Sequence, residues 1–130
     1  MNKKPRQVIA AVIRRDRSFL VCKRPAHKHH GGKWEFPGGK LEEGESFFEA
    51  AQRELCEELG LQVLSIGDDL FTIVDPGAQV EIHFIDVAVQ GEPIAHEHEA
   101  LSWEALGSLF DLDLAPSDRA FVHFLQIKKS

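Results

Sequence analysis

The chain has no tyrosine, two cysteines and no long apolar run, and each shortage narrows what it can be. Cys22 stands in a strand-like run and Cys56 in a helical one, without C-x-x-C spacing or a histidine at ligand spacing. They read as two reduced thiols, buried or half-buried, rather than a zinc or redox centre. A basic start, Met1-Asn2-Lys3-Lys4-Pro5-Arg6, precedes an apolar segment at residues 8–13 that Arg14-Arg15-Asp16-Arg17 ends. That segment is too short to cross a bilayer and lacks a small-residue cleavage site, so a cytoplasmic chain without a membrane or targeting segment is expected. Basic excess is missing too: 15 Lys and Arg against 21 Asp and Glu give a net charge of −6. A duplex nucleic-acid binder needs a basic surface to displace counterions, which excludes that class. A nucleotide stays possible, provided that divalent metal ions cancel the repulsion between its phosphates and an acidic site.

What is present suits one domain with a real core, spanning 130 residues. No obligate protein partner is evident. Residues 7–13 and 18–23 read as two strands joined by a polar turn, and Arg24-Pro25 ends the second. Residues 64–66 and 70–74 read as short strands with Gly67-Asp68-Asp69 as the turn between them. Asp75-Pro76-Gly77 then turns into residues 79–89, whose first half alternates Val80, Ile82 and Phe84. A strand end with a short helical turn follows at 103–109. Ala120, Phe121, Phe124 and Leu125 form the apolar stripe of a last helix capped by Ser117 or Asp118. His27, His29 and His30 lie in a loop rich in Lys and Gly, where solvated side chains are the ordinary case, and no metal is assigned to them.

The densest pattern lies at residues 38–61, GGKLEEGESFFEAAQRELCEELGL. Ser46-x-x-Glu49 has the spacing of a capping box, so a helix is expected to start near Ser46 and to stop at Gly60, a good left-handed cap. At about 100° per residue, Phe48, Ala51, Leu55 and Leu59 share a stripe that packs on a core. Glu54, Glu57 and Glu58 crowd a wedge of roughly 100° beside it. Two readings of these carboxylates are open: a solvated acidic face, or oxygen ligands grouped for Mg²⁺ or Mn²⁺.

From Gly39 to Leu61 the spacing is G-x5-E-x7-R-E-U-x-E-E-x-G-U, with U a bulky aliphatic residue, and it resembles the signature of the Nudix hydrolases without a departure. Seven single-residue positions at fixed spacing would coincide by chance on the order of once in 10⁹ starting points. Trp34-Glu35-Phe36-Pro37-Gly38-Gly39-Lys40 is similar to the run that enters this box in MutT-like members. The resemblance implies an α/β fold, the Nudix α/β/α sandwich with a mixed β-sheet between helices. It also implies Mg²⁺-dependent hydrolysis of a nucleoside diphosphate linked to a further group, with Mn²⁺ a possible substitute.

Residue by residue, the resemblance implies that Glu54, Glu57, Glu58 and the Gly38 carbonyl hold the metal. Arg53 then orients Glu54, and Glu45 pairs with Arg53. Glu54 or Glu97 is the general base, with Glu99 the neighbouring candidate. Arg24 would contact the nucleotide, its permanently charged fork suiting phosphate or a guanine edge. Lys40 can meet a phosphate, and Phe36 can lie against a base, although of Phe36 and Trp34 one is expected in the core. Phe71, Ile82 and Phe84 could line a base wall or pack inside. Leu114-Ala115-Pro116-Ser117-Asp118 is similar to the segment that faces the base in MutT-like and pyrimidine-nucleotide enzymes, so Asp118 is either a helix cap or a base contact.

The substrate implied first is a small nucleotide, an oxidised purine triphosphate such as 8-oxo-dGTP, split to nucleoside monophosphate and pyrophosphate in nucleotide-pool sanitation. CTP or a 5-substituted (d)CTP is the alternative, because the AHEHEAL and LAPSD segments are similar to enzymes of that specificity too. ADP-ribose has little support, since Pro76 belongs to a turn that needs it. Diadenosine polyphosphates call for a downstream tyrosine that this chain lacks. A non-hydrolytic nucleotide sensor, the competing class, commonly lacks box glutamates that are present here.

Overall fold

Alternation in the apolar runs places every second residue of the central strands on opposite faces, and a helix covers each face. A computed structural model describes residues 4–129, so the first three residues of the basic start lie outside the described residues. The elements run β1 (Arg6–Val12), β2 (Arg14–Arg15), β3 (Ser18–Lys23), β4 (Trp34–Glu35), β5 (Gly38–Lys40), α1 (Phe47–Leu59), β6 (Gln62–Asp75), β7 (Val80–Gln90), β8 (Ala100–Ala105), α2 (Leu106–Leu109) and α3 (Pro116–Lys129).

The strands divide between two sheets. The first is mixed, in the order β5-β1-β7-β6, with β1 and β7 parallel and the other pairs antiparallel. In the second, β3 pairs antiparallel with β2 and β4 on one side and with β8 on the other. Ile9, Ala11 and Ile13 join Leu20, Cys22, Ile85 and Val87 beneath Ala50, Ala51, Leu55 and Leu59 of α1. The intervening Ala10 and Val12 join Phe19, Val21 and Phe84 beneath Phe121 and Val122 of α3. The result is a mixed sheet between helices, an α/β fold. Among the described residues no helix is long and apolar enough to cross a membrane.

The boundaries of α1 follow its caps. Ser46 accepts from the Glu49 amide while Glu49 reaches back to the Ser46 amide, and Gly60 ends the helix with φ 66. Each such cap stabilises by about 1 kcal/mol. The core-facing stripe differs from expectation at one point: Phe48 is 40% exposed. Its neighbour Phe47 packs on the first core instead and meets the His83 ring at 4.9 Å. Neighbouring helical residues point about 100° apart, so one ring of that pair reaches the core and the other does not.

Three further expectations are corrected. Residues 64–74 do not form two strands around a turn: β6 is one 14-residue strand, and Gly67 and Asp68 sit in an irregularity of register between Ile66 and Asp69. A β-bulge carries the same Gly and Asp residues as a turn and bends the strand without ending it. Cys22 is buried, but Cys56 is exposed. Asp118 is not an N-cap, because α3 already begins at Pro116, a residue suited to a first helical turn.

Candidate active site

Two surface concavities stand out, and charge separates them. The larger, about 810 Å³, is bordered by Arg14, Arg17, Lys128 and Lys129 with Asp16 as its one carboxylate. The other, about 500 Å³, is lined by Glu35, Glu54, Glu58, Glu97 and Asp118 facing Arg24, Lys28 and Lys40. Only the second has the carboxylates that hydrolytic chemistry on a phosphate requires.

Its floor is built by two glycines, the first barred from a side chain by backbone and the second by Glu54. Gly38 has φ +152, and an added Cβ would lie 1.9 Å from the Ile9 carbonyl oxygen. At Gly39 a Cβ would lie 2.5 Å from the Glu54 carboxyl carbon. The missing side chain at position 39 is therefore the space that Glu54 occupies. Both residues are held on β1 by antiparallel pairing, Gly38 with Ala10 and Gly39 with Ile9.

Arg53 fixes this corner. Its Nη1 donates to Glu54 Oε1 at 2.6 Å, its Nε and Nη2 to the two oxygens of Glu45 at 2.8 and 2.9 Å, and Nη2 also to the Lys40 carbonyl at 3.0 Å. The bond from Arg53 lowers the Glu45 pKa to about 2, and the same bond raises that of the guanidinium. Such a bidentate fork orients as well as attracts. Glu54 is thereby held in one rotamer beside the floor.

One turn on, Glu58 is 5% exposed, and its Oε2 has no hydrogen-bond partner among the described residues. Burial, then a hydrogen bond that protonated Glu58 donates to Glu54, and the charges of Glu54, Glu35 and Glu97, push its pKa far above the carboxylate range. Glu57 is exposed and does not line the cleft; its backbone carbonyl meets His96 Nδ1 at 3.1 Å. Of the three glutamates expected to hold metal the fold thus brings two, Glu54 and Glu58, to the cleft. Glu97 joins them there, whereas Glu99 is tied by its amide to the Lys23 carbonyl, outside the lining.

Among the described residues no three His, Cys, Asp or Glu side chains form a ready metal cage. The donor set nevertheless fits a hard divalent cation. An orphaned buried carboxylate oxygen amid three further carboxylates is short of positive charge, and oxygen-only donors are what Mg²⁺ takes.

The opposite wall holds the remaining candidates. Arg24 spans the loop after β3, donating through Nε to the His29 carbonyl at 2.6 Å and through Nη1 to Glu35 at 3.0 Å. Lys28, His29 and His30 of that loop reach the cleft rim, and Lys40 is exposed at its edge. Asp118, 8% exposed, accepts from the Phe36 amide at 2.8 Å, and burial raises its pKa to about 8. Phe36 itself is a correction. Its ring is 3% exposed and T-shaped to Phe19, Phe84 and Phe121 at 6.3, 5.9 and 5.2 Å, so although it borders the cleft it packs as core and offers almost no open surface to a base. Phe84 is fully buried and Phe71 packs on it, leaving Ile82 as the half-buried apolar wall at the cleft.

Two cleft residues escaped sequence reasoning, Glu35 and His98. Glu35 sits beside core-bound Phe36, so strand alternation would have turned it toward the cleft once Phe36 was placed inside. His98 carried no signal of its own within the polar run 96–99.

Residues 3–125 match the domain described as NUDIX. The CTP pyrophosphohydrolase of Escherichia coli is 38% identical over 115 residues, 86% of this chain and 84% of that protein. The 8-oxo-dGTP diphosphatase of the same organism is 32% identical over 120 residues, 89% of this chain and 92% of that protein. The solution structure of the E. coli ORF135 protein superposes with a TM-score of 0.79 at 35% identity, covering 95% of this chain and 90% of that one. A MutT structure from a study of the Aliivibrio salmonicida and Vibrio cholerae proteins reaches 0.81 at 28% identity, covering 95% and 98%.

Proposed function

Because this chain belongs to the NUDIX domain family, we propose that it is a Mg²⁺-dependent nucleoside triphosphate pyrophosphohydrolase, with 8-oxo-dGTP as its first substrate. NTP and water give NMP and pyrophosphate, a cytoplasmic sanitation of the nucleotide pool that would keep damaged bases out of DNA. The observation that carries the reading is the single cleft in which Glu54, Glu58 and Glu97 face Arg24, Lys40 and Asp118. One wall can hold cations against phosphates, and the other can hold a nucleotide.

Glu54, Glu58 and the Gly38 carbonyl would hold the metal, with the exposed Glu57 completing the set from the edge of the helix. Mg²⁺ bound there would neutralise phosphate charge and lower the pKa of the attacking water. The protein itself supplies position. Arg53 keeps Glu54 in place, Lys40 meets a phosphate, and Arg24 contacts the nucleotide from the far rim. Glu54 accepts from Arg53 and Glu35 from Arg24, and Glu58 would be engaged by the metal, so Glu97 of the cleft lining would take the water proton. Asp118 faces the base. As an acid held neutral it presents both a donor and an acceptor, which suits an oxidised guanine edge.

A second reading, CTP or a 5-substituted (d)CTP, is favoured by the 38% identity to the CTP pyrophosphohydrolase. A panel of nucleotides assayed with Mg²⁺, scoring pyrophosphate against orthophosphate release, tests both. Preference for 8-oxo-dGTP over dGTP and CTP, with pyrophosphate as product, is the expected result. Orthophosphate release, or no turnover of any triphosphate, would sink the proposal.

A further inference from the structure

His98 lies between two exposed glutamates, yet its own side chain is only 5% exposed. The run 96–99 is strapped to two different elements: the His96 amide donates to the Glu58 carbonyl at 3.0 Å, and the Glu99 amide to the Lys23 carbonyl at 2.9 Å. Between those straps the imidazole turns inward. Its Nε2 donates to Glu35 Oε2 at 3.1 Å and stands 3.6 Å from Glu58 Oε1. The second distance is beyond a hydrogen bond. The ring therefore spends its donor on Glu35 of the second sheet and walls off Glu58 without occupying either of that carboxylate's oxygens.

Only two buried side-chain polar atoms lack a hydrogen-bond partner among the described residues, Glu58 Oε2 and His98 Nδ1. Each is the far atom of one of the two residues that meet here, Nε2 and Oε1 being the atoms that face one another. Buried unsatisfied groups are rare in native proteins, and each calls for a reason. A purely structural filler here would be apolar; this imidazole leaves one nitrogen idle while the other holds Glu35.

We propose that His98 is a positioning residue of the cleft: by bridging Glu35 to the flank of Glu58 it fixes the run 96–99, so that Glu97 overhangs the site, while the imidazole itself takes neither Glu58 oxygen from a divalent cation. The inference rests on the proposed hydrolase reading for the role of Glu97, and its geometry can be tested without activity. Partners of this outer kind typically change metal affinity or activity by about 10–100-fold.

The test uses the full chain with His98→Leu, which keeps volume and loses the donor, and His98→Gln, which keeps an N–H donor. Expected for His98→Leu are a kcat about 10–100-fold lower with KM within about twofold, and Mn²⁺ binding to nucleotide-free protein, read by electron paramagnetic resonance, about tenfold weaker. His98→Gln restores most of both. In a Glu97→Gln background, His98→Leu removes little further activity. Amides of His96 and Glu99 exchange with deuterium faster in His98→Leu than in wild type. The wild-type chain, with no substitution, shows a slowly exchanging imidazole Nε2–H signal in ¹⁵N spectra, which keeps the test decisive if His98→Leu does not fold. Absence of that signal, unchanged exchange and Mn²⁺ affinity in His98→Leu, or failure of Gln to restore them would overturn the proposal. A chain that meets the Mn²⁺ and exchange expectations but hydrolyses no triphosphate would leave the positioning role standing and remove the hydrolase reading.

Discussion

Replacing Glu58 with Gln is expected to stabilise the metal-free protein while disabling it, a pairing that few structural residues can give. The carboxyl group is 5% exposed, and one of its oxygens has no partner among the described residues. An ordinary glutamate ionises near 4.5, whereas burial, followed by the bond and charge of Glu54, keeps this one protonated far above that. A folded-state pKa raised in this way stabilises fully at low pH, and the contribution is lost as pH rises from about 4.5 toward the folded value. By pH 8 the mismatch covers about 3.5 pH units at about 1.4 kcal/mol each, a ceiling of about 5 kcal/mol. Proton sharing with Glu54 lowers the expected gain for the amide to about 2–4 kcal/mol. In a chain of this size that is a rise in Tm of about 6–15 °C at pH 8, shrinking toward zero near pH 4.5. The assay is a pair of thermal melts in chelator at pH 5 and pH 8, beside pyrophosphate release at saturating Mg²⁺. Turnover should fall at least about a hundredfold with the loss of a metal-binding charge. A Gln variant less stable than wild type at pH 8 without metal, or one turning over within tenfold of wild type, would refute the electrostatic account of the cleft.

Four further outcomes follow from other residues. Asp118, with its pKa raised by burial to about 8, destabilises the folded chain progressively between about pH 4 and pH 8; Asp118→Asn should flatten that slope by about 1.4 kcal/mol per pH unit, measured by urea unfolding. Gly39→Ala places a Cβ 2.5 Å from the Glu54 carboxyl carbon, so turnover should drop about a hundredfold or more while Tm changes little, because a side-chain end can swing away. Gly38→Ala meets backbone instead, 1.9 Å from the Ile9 carbonyl, and should cost about 3 kcal/mol or more in denaturant melts. Phe121→Ala empties a fully buried site stacked on Phe84 at 4.4 Å and should cost about 3–5 kcal/mol, with kcat per folded molecule unchanged.

Local chemistry, written in neighbouring residues, was legible without a structure. Ser46 and Glu49 state where α1 begins and Gly60 where it stops, because caps act over three or four residues. The spacing from Gly39 to Leu61 likewise names the family, because its residues all lie on one loop and one helix. What tertiary structure decided are matters of distance along the chain. Whether Gly67-Asp68 turns or bulges depends on β7 lying alongside to continue the ladder. Phe36 rather than Trp34 fills the core because Phe19, Phe84 and Phe121, from three separate elements, converge on it. Glu57 and Glu58 differ by one residue in sequence, but only the packing of α1 on the sheet buries one and leaves the other in water. His98 and Glu35, 63 residues apart, meet only when β4 and β8 have both paired with β3, and no pattern with a helical or strand period could have paired them.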